Sequence, residues 1–327
     1  MKALVLGATG LIGNSILREL IASGYSVTGT SRKGTTRNID GLEMRIAHGD
    51  IDAPGQLDEW ISGKDIVVDA AAPYPLHLVH ATHGSARPTL KYAADRTDAL
   101  IKSCIQHGTR LVYIGTTMSR PERAGFGPAG MQRRLMRIMH PYFAMKSAIE
   151  RRLLAARERL PGLMIVQPSA CVGPFDVKPR DQCLVPNLVN GRLSIAANHK
   201  LNLIDTRDVA RAVVAAIEAD RFGETIRLTG HNTTVSDTLT RLGKITDTST
   251  PRINVPAALG VLPTFWAEFA WGFAGRPSPL PSLLPILICE QGWSRPSDAQ
   301  RSLGLVPRPT DETLRDTVSW YRELGYC

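Results

Sequence analysis

The chain has 327 residues, a net charge of +9, 43% hydrophobic residues and 21% charged residues. This length suits one large α/β unit or two coupled domains, and it is enough to bury a sizeable core without disulfides. Much of the basic excess lies in residues 133–159, where cations alternate with apolar residues at helical spacing, so we interpret it as a solvated helix face. The chain has no zinc-finger spacing and no basic run with interleaved aromatic residues, so we expect no nucleic-acid partner.

Cysteine usage and apolar segments favour a cytoplasmic protein without a transmembrane span. The five cysteines are odd in number and include no C-x-x-C pair, which fits a reducing compartment. The chain opens on a strand-like run rather than on a signal peptide. Residues 261–289 are apolar but are interrupted by Glu268, Arg276 and several prolines. We expect this segment to line a core or pocket in preference to touching a membrane surface.

Strand and helix patterns alternate through the first half of the chain. Buried-strand runs are predicted at residues 2–6, 25–30, 44–47, 65–71, 110–115 and 163–167. Helices are predicted at residues 11–23, 58–61, 89–106 and 141–160. Because strands alternate with helices, we predict a doubly wound α/β fold with a parallel sheet covered on both faces.

The pattern changes after Pro168, where proline and glycine become frequent. A helix is still predicted at residues 206–219, and a strand at 225–228 could rejoin the sheet. We therefore assign residues 1–170, with 203–230 rejoining them, to a nucleotide-binding domain. Residues 171–202 and 231–327 are assigned to a smaller, interleaved C-terminal domain that binds substrate.

Three glycines lie between the first predicted strand and the first predicted helix. Gly7 permits the tight turn, Gly10 lets the backbone approach a pyrophosphate, and Gly13 lets helix and sheet pack together. The helix N-terminus adds free N–H groups and a positive dipole end. This placement predicts a Rossmann dinucleotide site, with the phosphate loop formed by Gly7, Thr9, Gly10, Leu11, Ile12 and Gly13.

The second predicted strand indicates which dinucleotide is bound. Enzymes that use NAD usually place an acidic residue after this strand, to hold the ribose 2′-hydroxyl. Here Ser31, Arg32 and Lys33 follow instead, and the two cations could bind a 2′-phosphate. We therefore predict NADP(H) in preference to NAD(H). In the alternative interpretation, both cations face solvent.

Tyr142 and Lys146 are four residues apart on the predicted helix 141–160, so they share a face. An ammonium beside a phenol lowers the pKa of the tyrosine toward working pH. Such a tyrosine can give a proton to a carbonyl oxygen or take one from an alcohol. Thr116 and Thr117 follow a predicted strand at the sheet edge where ligands bind, and either hydroxyl could orient the substrate. The run Arg110-Leu111-Val112-Tyr113 before them favours Thr116.

Together these residues resemble the extended or atypical branch of the short-chain dehydrogenase/reductase family, including members of the epimerase/dehydratase and dihydroflavonol-reductase-like types. The resemblance covers nearly the whole chain. Besides the glycine loop, it rests on the runs at 48–51, 63–71, 110–113, 142–150, 167–174, 202–210 and 303–322.

The resemblance implies a nicotinamide cofactor, with hydride transfer and Tyr142 as acid and base. Tyr142 and Lys146 would also contact the cofactor. Further cofactor contacts implied by the family pattern are Asp50, Ile51, Ala70, Ala71, Ala72, Pro168, Ser169 and Ala170. A homodimer through the helices predicted at 89–106 and 141–160 is common in the family.

The sequence departs from the family at two places. Asp69 stands where many members have histidine, and Arg96-Thr97 stands near the usual asparagine and Gly-Thr of the middle helix. These departures put the substrate class in doubt more than cofactor binding.

Neither of two other polar segments predicts a metal site. His77, His80 and His83 are spaced by three, but no cysteine or nearby acid completes a ligand set, so we expect no metal site. That segment is interpreted either as a lid over the site or as a polar loop. The glycine-rich stretch 125–130 could form a flap over the substrate.

We therefore expect an NADPH-dependent oxidoreductase that reduces a ketone or aldehyde. The apolar C-terminal part suggests a small-molecule substrate with hydrophobic surface, through Phe265, Trp266, Phe269 and Trp271. One alternative is a nucleotide-sugar epimerase or dehydratase with tightly bound NAD. A second alternative is a non-catalytic regulator that senses NADP.

Overall fold

The computed structural model describes residues 1–32, 36–72, 86–119, 141–177, 183–193, 195–251, 253–274, 278 and 282–327. The strands of these residues are β1 (Lys2–Leu6), β2 (Ser26–Ser31), β3 (Arg45–His48), β4 (Ile66–Asp69), β5 (Arg110–Ile114), β6 (Leu163–Pro168), β7 (Ala170–Val172), β8 (Ile195–Asn198), β9 (Lys200–Asp205), β10 (Thr225–Leu228), β11 (His231–Thr234) and β12 (Ile253–Pro256). The helices are α1 (Leu11–Ala22), α2 (Gln56–Ile61), α3 (Ala86–Gln106), α4 (Pro141–Ala155), α5 (Leu184–Val189), α6 (Thr206–Glu218), α7 (Val235–Thr246), α8 (Ala257–Phe273), α9 (Leu283–Glu290), α10 (Asp298–Ser302) and α11 (Thr310–Glu323), with a 3₁₀ turn at Arg157–Arg159.

Parallel strands form the larger sheet, in the order β10-β6-β5-β4-β1-β2-β3. The chain moves from β1 outward through β2 and β3, then returns past β1 to β4 and continues in the other direction. Strand order therefore reverses between β1 and β4, which is the point where open α/β sheets bind ligands. The predicted doubly wound parallel sheet of the Rossmann type is confirmed.

Helices cover both faces of this sheet, because its inner strands are apolar on both sides. On one face Val5 and Val68 pack with residues of α1 and α6 such as Leu17 and Val213. On the other face the strands pack against α2, α3 and α4. Continuous burial of this kind is what a parallel sheet requires.

A smaller part of the protein is built around two further sheets. In the described residues, β9 pairs with β7 and β11, and β12 pairs with β8. A separate apolar core joins these sheets to α5, α7 and α11. The chain enters this part after β6, leaves it to form α6 and β10 on the larger sheet, and then enters it again.

Predicted and observed elements differ mainly at their ends and in the second half of the chain. The predicted helix 141–160 ends as α4 at Ala155, and the residues 133–140 lie outside the described residues. Strand β10 lies parallel to β6, at the predicted residues 225–228. Residues 203–205, grouped by sequence with the larger domain, belong to β9 of the smaller sheet. None of the described helices is long and apolar enough to cross a membrane.

Candidate active site

The turn after β1 brings the sheet, α1 and the end of β4 together. Gly7 has a φ of +81°, and its N–H donates a hydrogen bond to Thr30 Oγ1 at 3.2 Å. A Cβ on Gly13 would lie 2.2 Å from the Gly7 carbonyl oxygen and 3.3 Å from the Ala70 Cβ. The first and third glycines are therefore required by the turn itself and by the packing of α1 on the sheet.

Gly10 has a different environment. Its φ of −83° is open to any residue, and a Cβ there would meet one described atom within 4 Å, the Gly7 carbonyl oxygen at 3.3 Å. Gly10 is exposed, while Thr9, Leu11 and Ile12 beside it are half-buried. The contact with Gly7 is tight for a Cβ, but no other described atom fills the space, so the absence of a side chain suits a ligand that approaches the backbone closely.

The N-terminus of α1 adds the electrostatic part of this cradle. Its first turn contains no acidic residue, and no described side chain caps its N–H groups. The Gly10 N–H donates to the Gly7 carbonyl at 2.9 Å, which fixes the loop ahead of the helix. Uncapped N–H groups and the positive dipole end attract phosphate. The residues present therefore fit the pyrophosphate of a nicotinamide dinucleotide.

The end of β2 carries a hydroxyl and a cation. Ser31 is buried and donates from Oγ to the carbonyl oxygen of Arg32 at 2.8 Å, whereas Arg32 is exposed. Asp50 follows the neighbouring strand β3 and is also exposed; its Oδ1 accepts the N–H of Asp52 at 3.2 Å. Lys33 lies outside the described residues. Arg32 is therefore an exposed cation directly after β2.

The other residues expected to line the cofactor flank the end of β4. Ala70 contacts the glycine loop, and the Ala71 N–H donates to Asp69 Oδ1 at 3.1 Å. Ile51, Ala71 and Ala72 are partly buried against the core on the side of α2 and α3. The alanines at positions 70–72 have small side chains, so they add little bulk at the carboxyl end of β4 beside the glycine loop.

Tyr142 and Lys146 lie on α4 and are 3% and 6% exposed. The Tyr142 ring contacts Phe143 edge-on, with centroids 5.2 Å apart, and Lys146 Nζ lies 5.9 Å from the ring centroid of Tyr113 on β5. Three side chains from α8 and α9, Val261, Leu283 and Ile286, complete an apolar cluster around Tyr142 and Phe143. The smaller part of the protein therefore packs directly on the Tyr–Lys helix.

Burial controls the charge of Lys146. Removal from water lowers the pKa of its ammonium to about 8, and the nearby Arg96 guanidinium acts in the same direction. The carboxylates of Asp69 and Glu150 oppose this effect. A lysine poised in this way is half protonated close to physiological pH, so small changes in its surroundings change its charge.

Asp69 and Arg96 form a buried ion pair beside Lys146. Arg96 on α3 donates from Nη2 and Nη1 to the two carboxylate oxygens of Asp69, at 2.7 and 3.0 Å. Burial by itself raises the pKa of Asp69, but the pair with Arg96 outweighs it and holds that pKa below the usual range. The two departures from the family pattern noted in the sequence are thus partners in one interaction.

A second polar network lies behind Lys146, and the sequence analysis assigned it no role. The Ser119 hydroxyl donates to Glu150 Oε1 at 2.6 Å, and Gln167 Nε2 donates to Glu150 Oε2 at 2.9 Å. The Ser147 hydroxyl donates to the Ser119 carbonyl oxygen at 2.7 Å. Glu150 follows Tyr142 and Lys146 at intervals of four on α4, so helical spacing could have identified it.

Thr116 and Thr117 follow β5 in different surroundings. Thr116 is buried, and its Oγ1 accepts the Met118 N–H at 3.3 Å. Thr117 is half-buried, and its N–H donates to the Pro168 carbonyl at 3.1 Å. The Gly115 N–H likewise donates to Val166, so pairing with β6 continues beyond the end of β5.

The stretch after β6 returns the chain toward β10. The Ser169 N–H donates to the Leu228 carbonyl at 2.9 Å, while its buried Oγ has no hydrogen-bond partner among the described residues. Ala170 begins β7 and is half-buried. Burial raises the pKa of the Cys171 thiol to about 12, which suits packing rather than a nucleophile.

Several predicted features lie outside the described residues: Lys33, the histidines at 77, 80 and 83, and the glycine-rich stretch 125–130. Within the described ranges, no group of three histidine, cysteine or acidic side chains could hold a metal ion.

Comparisons with known proteins bear on this architecture. Residues 3–228 match the NAD dependent epimerase/dehydratase family. Sterol demethylase protein B of Methylococcus capsulatus is 25% identical, over 99% of each chain. A 2-alkyl-3-oxoalkanoate reductase of Stenotrophomonas maltophilia is 26% identical, over 96% of this chain and 98% of the relative. A UDP-glucuronic acid 4-epimerase of Bacillus cereus, solved with UDP-glucuronic acid and NAD, superposes with a TM-score of 0.73 at 18% identity, over 99% of this chain and 100% of that chain.

The fold is therefore that of a Rossmann nucleotide-binding enzyme. The chain belongs to the NAD-dependent epimerase/dehydratase family, whose members are oxidoreductase-type enzymes that bind a nicotinamide dinucleotide. The resemblance to extended short-chain dehydrogenases/reductases is confirmed. The likeness to the epimerase structure concerns the fold alone.

Proposed function

We propose that the protein is an NADPH-dependent reductase of a ketone or aldehyde with a largely hydrophobic body. The observation that carries this proposal is the packing around Tyr142. Val261 of α8 and Leu283 and Ile286 of α9 pack against Tyr142 and Phe143 and form an apolar wall beside the Tyr–Lys pair. Such a wall favours an apolar substrate over the diphosphate and sugar of a nucleotide sugar.

In the proposed reaction Tyr142 acts as the general acid. Its hydroxyl gives a proton to the carbonyl oxygen, so the tyrosine O–H bond breaks as the alcohol O–H bond forms. The Lys146 ammonium stabilises the phenolate that remains and binds a ribose hydroxyl of the cofactor. A bound nicotinamide dinucleotide supplies the hydride that reduces the carbonyl carbon.

We infer that Thr117, rather than Thr116, holds the carbonyl oxygen. Backbone pairing with β6 continues through Gly115 and Thr117, which holds Thr117 in the turn at the carboxyl end of β5. Its side chain is half-buried and makes no hydrogen bond to a described residue, so its hydroxyl is available to a ligand. Thr116 is buried, and its Oγ1 accepts the Met118 N–H, which holds this side chain within the turn.

Binding of NADPH in preference to NADH rests on the residues after β2. Ser31 and Arg32 stand where an NAD enzyme would carry an acid, and Lys33 follows in the sequence. The remaining cofactor contacts in this proposal are the N-terminus of α1 for the pyrophosphate, Asp50 and Ile51 for the adenine side, and Pro168, Ser169 and Ala170 for the nicotinamide side.

The first experiment is cofactor identity and exchange. Protein is purified and denatured, the released dinucleotide is identified, and cofactor-free protein is then titrated with NADPH and NADH by nicotinamide fluorescence. A reductase should retain little cofactor and bind NADPH more tightly. Arg32→Ala should weaken NADPH binding without changing NADH binding, whereas Arg192→Ala, at an exposed cation of the smaller part, should change neither.

Tightly retained NAD⁺ would contradict the proposal and favour an epimerase or dehydratase. Catalysis itself is tested with Tyr142→Phe, which should abolish turnover and leave cofactor binding intact. Tyr326→Phe is the control, since it also removes a tyrosine hydroxyl, one that donates to the Val177 carbonyl far from the candidate site in sequence. Turnover that survives in Tyr142→Phe would remove the catalytic assignment, and cofactor binding without any turnover in the wild type would favour a regulator.

A further inference from the structure

Helix α8 is held to the protein by one face. Its single charged residue, Glu268, is 1% exposed and accepts hydrogen bonds from the backbone N–H and the hydroxyl of Ser282, at 3.0 and 2.6 Å. Val261 and Gly272 are buried on the same side. The expectation that this apolar segment lines a core therefore holds for one face of the helix only.

The opposite face presents large apolar side chains to solvent. Leu259, Leu262, Trp266 and Phe273 are 66%, 66%, 62% and 78% exposed. Their spacing of three, four and seven residues places them along one side of the helix. Edge-on ring contacts connect Phe269 to Trp266 at 5.9 Å and to Phe273 at 4.7 Å, so these five residues form one continuous apolar stripe.

A continuous apolar stripe exposed on a helix indicates an interaction site, because folded proteins rarely expose such surface without a partner. We propose that this stripe rests on the surface of a lipid bilayer that contains anionic lipids. Tryptophan and phenylalanine are favoured at the boundary between headgroups and acyl chains, and an apolar helix face held parallel to the membrane can enter that boundary.

Charge favours an anionic bilayer over a second copy of the chain. The protein carries a net charge of +9, so two copies repel each other while an anionic surface attracts each one. Five arginines and one glutamate of the stretch 120–140, which lies outside the described residues, contribute to this charge.

The stripe lies on the far side of the helix that encloses the candidate site. Val261 contacts the cluster around Tyr142, while Leu259 and Leu262 on either side of it are exposed. The two faces are separated by about 10 Å, the width of one helix. Membrane contact at the stripe would therefore bring an apolar substrate dissolved in the bilayer next to the wall of the site.

The test is binding of the full-length protein to vesicles, without cofactor or substrate. We expect the protein to co-sediment with phosphatidylcholine/phosphatidylglycerol vesicles, to bind phosphatidylcholine vesicles much more weakly, and to dissociate as salt is raised. Leu262→Gln/Trp266→Gln should lower the partition coefficient by at least roughly tenfold. Val306→Gln, at an apolar residue that is 77% exposed and far along the chain from the stripe, should leave it unchanged.

A second measurement needs no destabilising change. Brominated lipids quench nearby tryptophan, so they should quench the emission of the wild type more than that of Trp266→Phe. Absence of co-sedimentation, or equal binding by the double variant and the wild type, would overturn the proposal. A dimer in light scattering that the double variant loses would show that a second copy covers the stripe instead. None of these outcomes bears on the reductase proposal, which is tested by turnover.

Discussion

The guanidinium of Arg96 faces the carboxylate of Asp69 and donates two hydrogen bonds to it, of 2.7 and 3.0 Å, with almost no exposure to solvent. The pair links the middle of α3 to the carboxyl end of β4, next to the buried Lys146. Arg96 Nε has no hydrogen-bond partner among the described residues, so Asp69 provides most of the compensation for burying this cation.

Removal of both members of this pair should cost less than the sum of the two single removals. Asp69→Asn or Arg96→Met leaves a buried charge without its partner, and each should lower the free energy of unfolding by about 3–5 kcal/mol. The double variant Asp69→Asn/Arg96→Met should lose clearly less than the sum of the single variants. Urea denaturation of cofactor-free protein measures all four species. Strictly additive losses would mean that the two side chains are not coupled.

Asp69 should also set the pH at which Lys146 loses its charge. The pKa of Lys146 is about 8, so its ammonium is present below that pH and is lost above it. We expect kcat/KM for NADPH to fall as pH rises through about 8, since this ratio reports groups of the free enzyme. Asp69 raises the pKa of Lys146, so Asp69→Asn should move the fall to lower pH.

The control for this shift is Asp98→Asn. Asp98 lies on the same helix as Arg96, but it is an exposed carboxylate paired with Arg152 at the surface. The pH profile of this variant should follow the wild type. A fall that stays at the same pH in Asp69→Asn, or that moves to higher pH, would contradict the role of Asp69.

Substitutions at two glycines of the phosphate loop should affect protein stability and cofactor binding to different extents. Gly10→Ala places a Cβ 3.3 Å from the Gly7 carbonyl oxygen, a contact that a shift of a few tenths of an ångström relieves, so it should destabilise the protein less than Gly13→Ala while cofactor affinity drops. Gly13→Ala places a Cβ 2.2 Å from the Gly7 carbonyl oxygen and should destabilise the protein by about 1–3 kcal/mol. Thermal melts and fluorescence titration measure the two effects. Gly292→Ala, with no described atom within 4 Å of its Cβ, is the control.

The two threonines after β5 should differ in their contribution to turnover. Thr117→Val removes the hydroxyl that we assign to the carbonyl oxygen, so kcat should fall by about 10²–10³-fold, as for loss of an oxyanion donor. Thr116→Val removes the acceptor for the Met118 N–H and should mainly lower stability. Steady-state kinetics and thermal melts on both variants test the assignment. The opposite ranking of kcat would give the role to Thr116.

The larger sheet could be predicted from the sequence because the signals for its strands and helices are local. Each buried strand is a short apolar run, and each glycine or helical spacing is read within a few neighbouring residues. The spacing of four residues between Tyr142, Lys146 and Glu150 is a local signal of the same kind. The strands of the smaller part are four residues long in most cases and pair across long distances in sequence, as His231 does with Leu203 and Ile253 with Ile195. Local pattern carries little information about such pairs.

The Asp69–Arg96 pair shows the same limit within the site. Its members are 27 residues apart and lie on different elements, so each departure from the family pattern was visible in the sequence but their relation was not. The geometry of the sheet brings them together, because α3 packs across the end of β4.

The path of the chain has a consequence for how this protein can change. Strand β10 covers the edge of β6, and α6 covers one face of the larger sheet, yet both are separated in sequence from the first 170 residues by part of the smaller unit. A cut after residue 170 would remove both and leave an apolar sheet open at its edge. The smaller part cannot be exchanged as one contiguous block. New specificity in this chain must instead come from substitutions on the helices that already surround Tyr142.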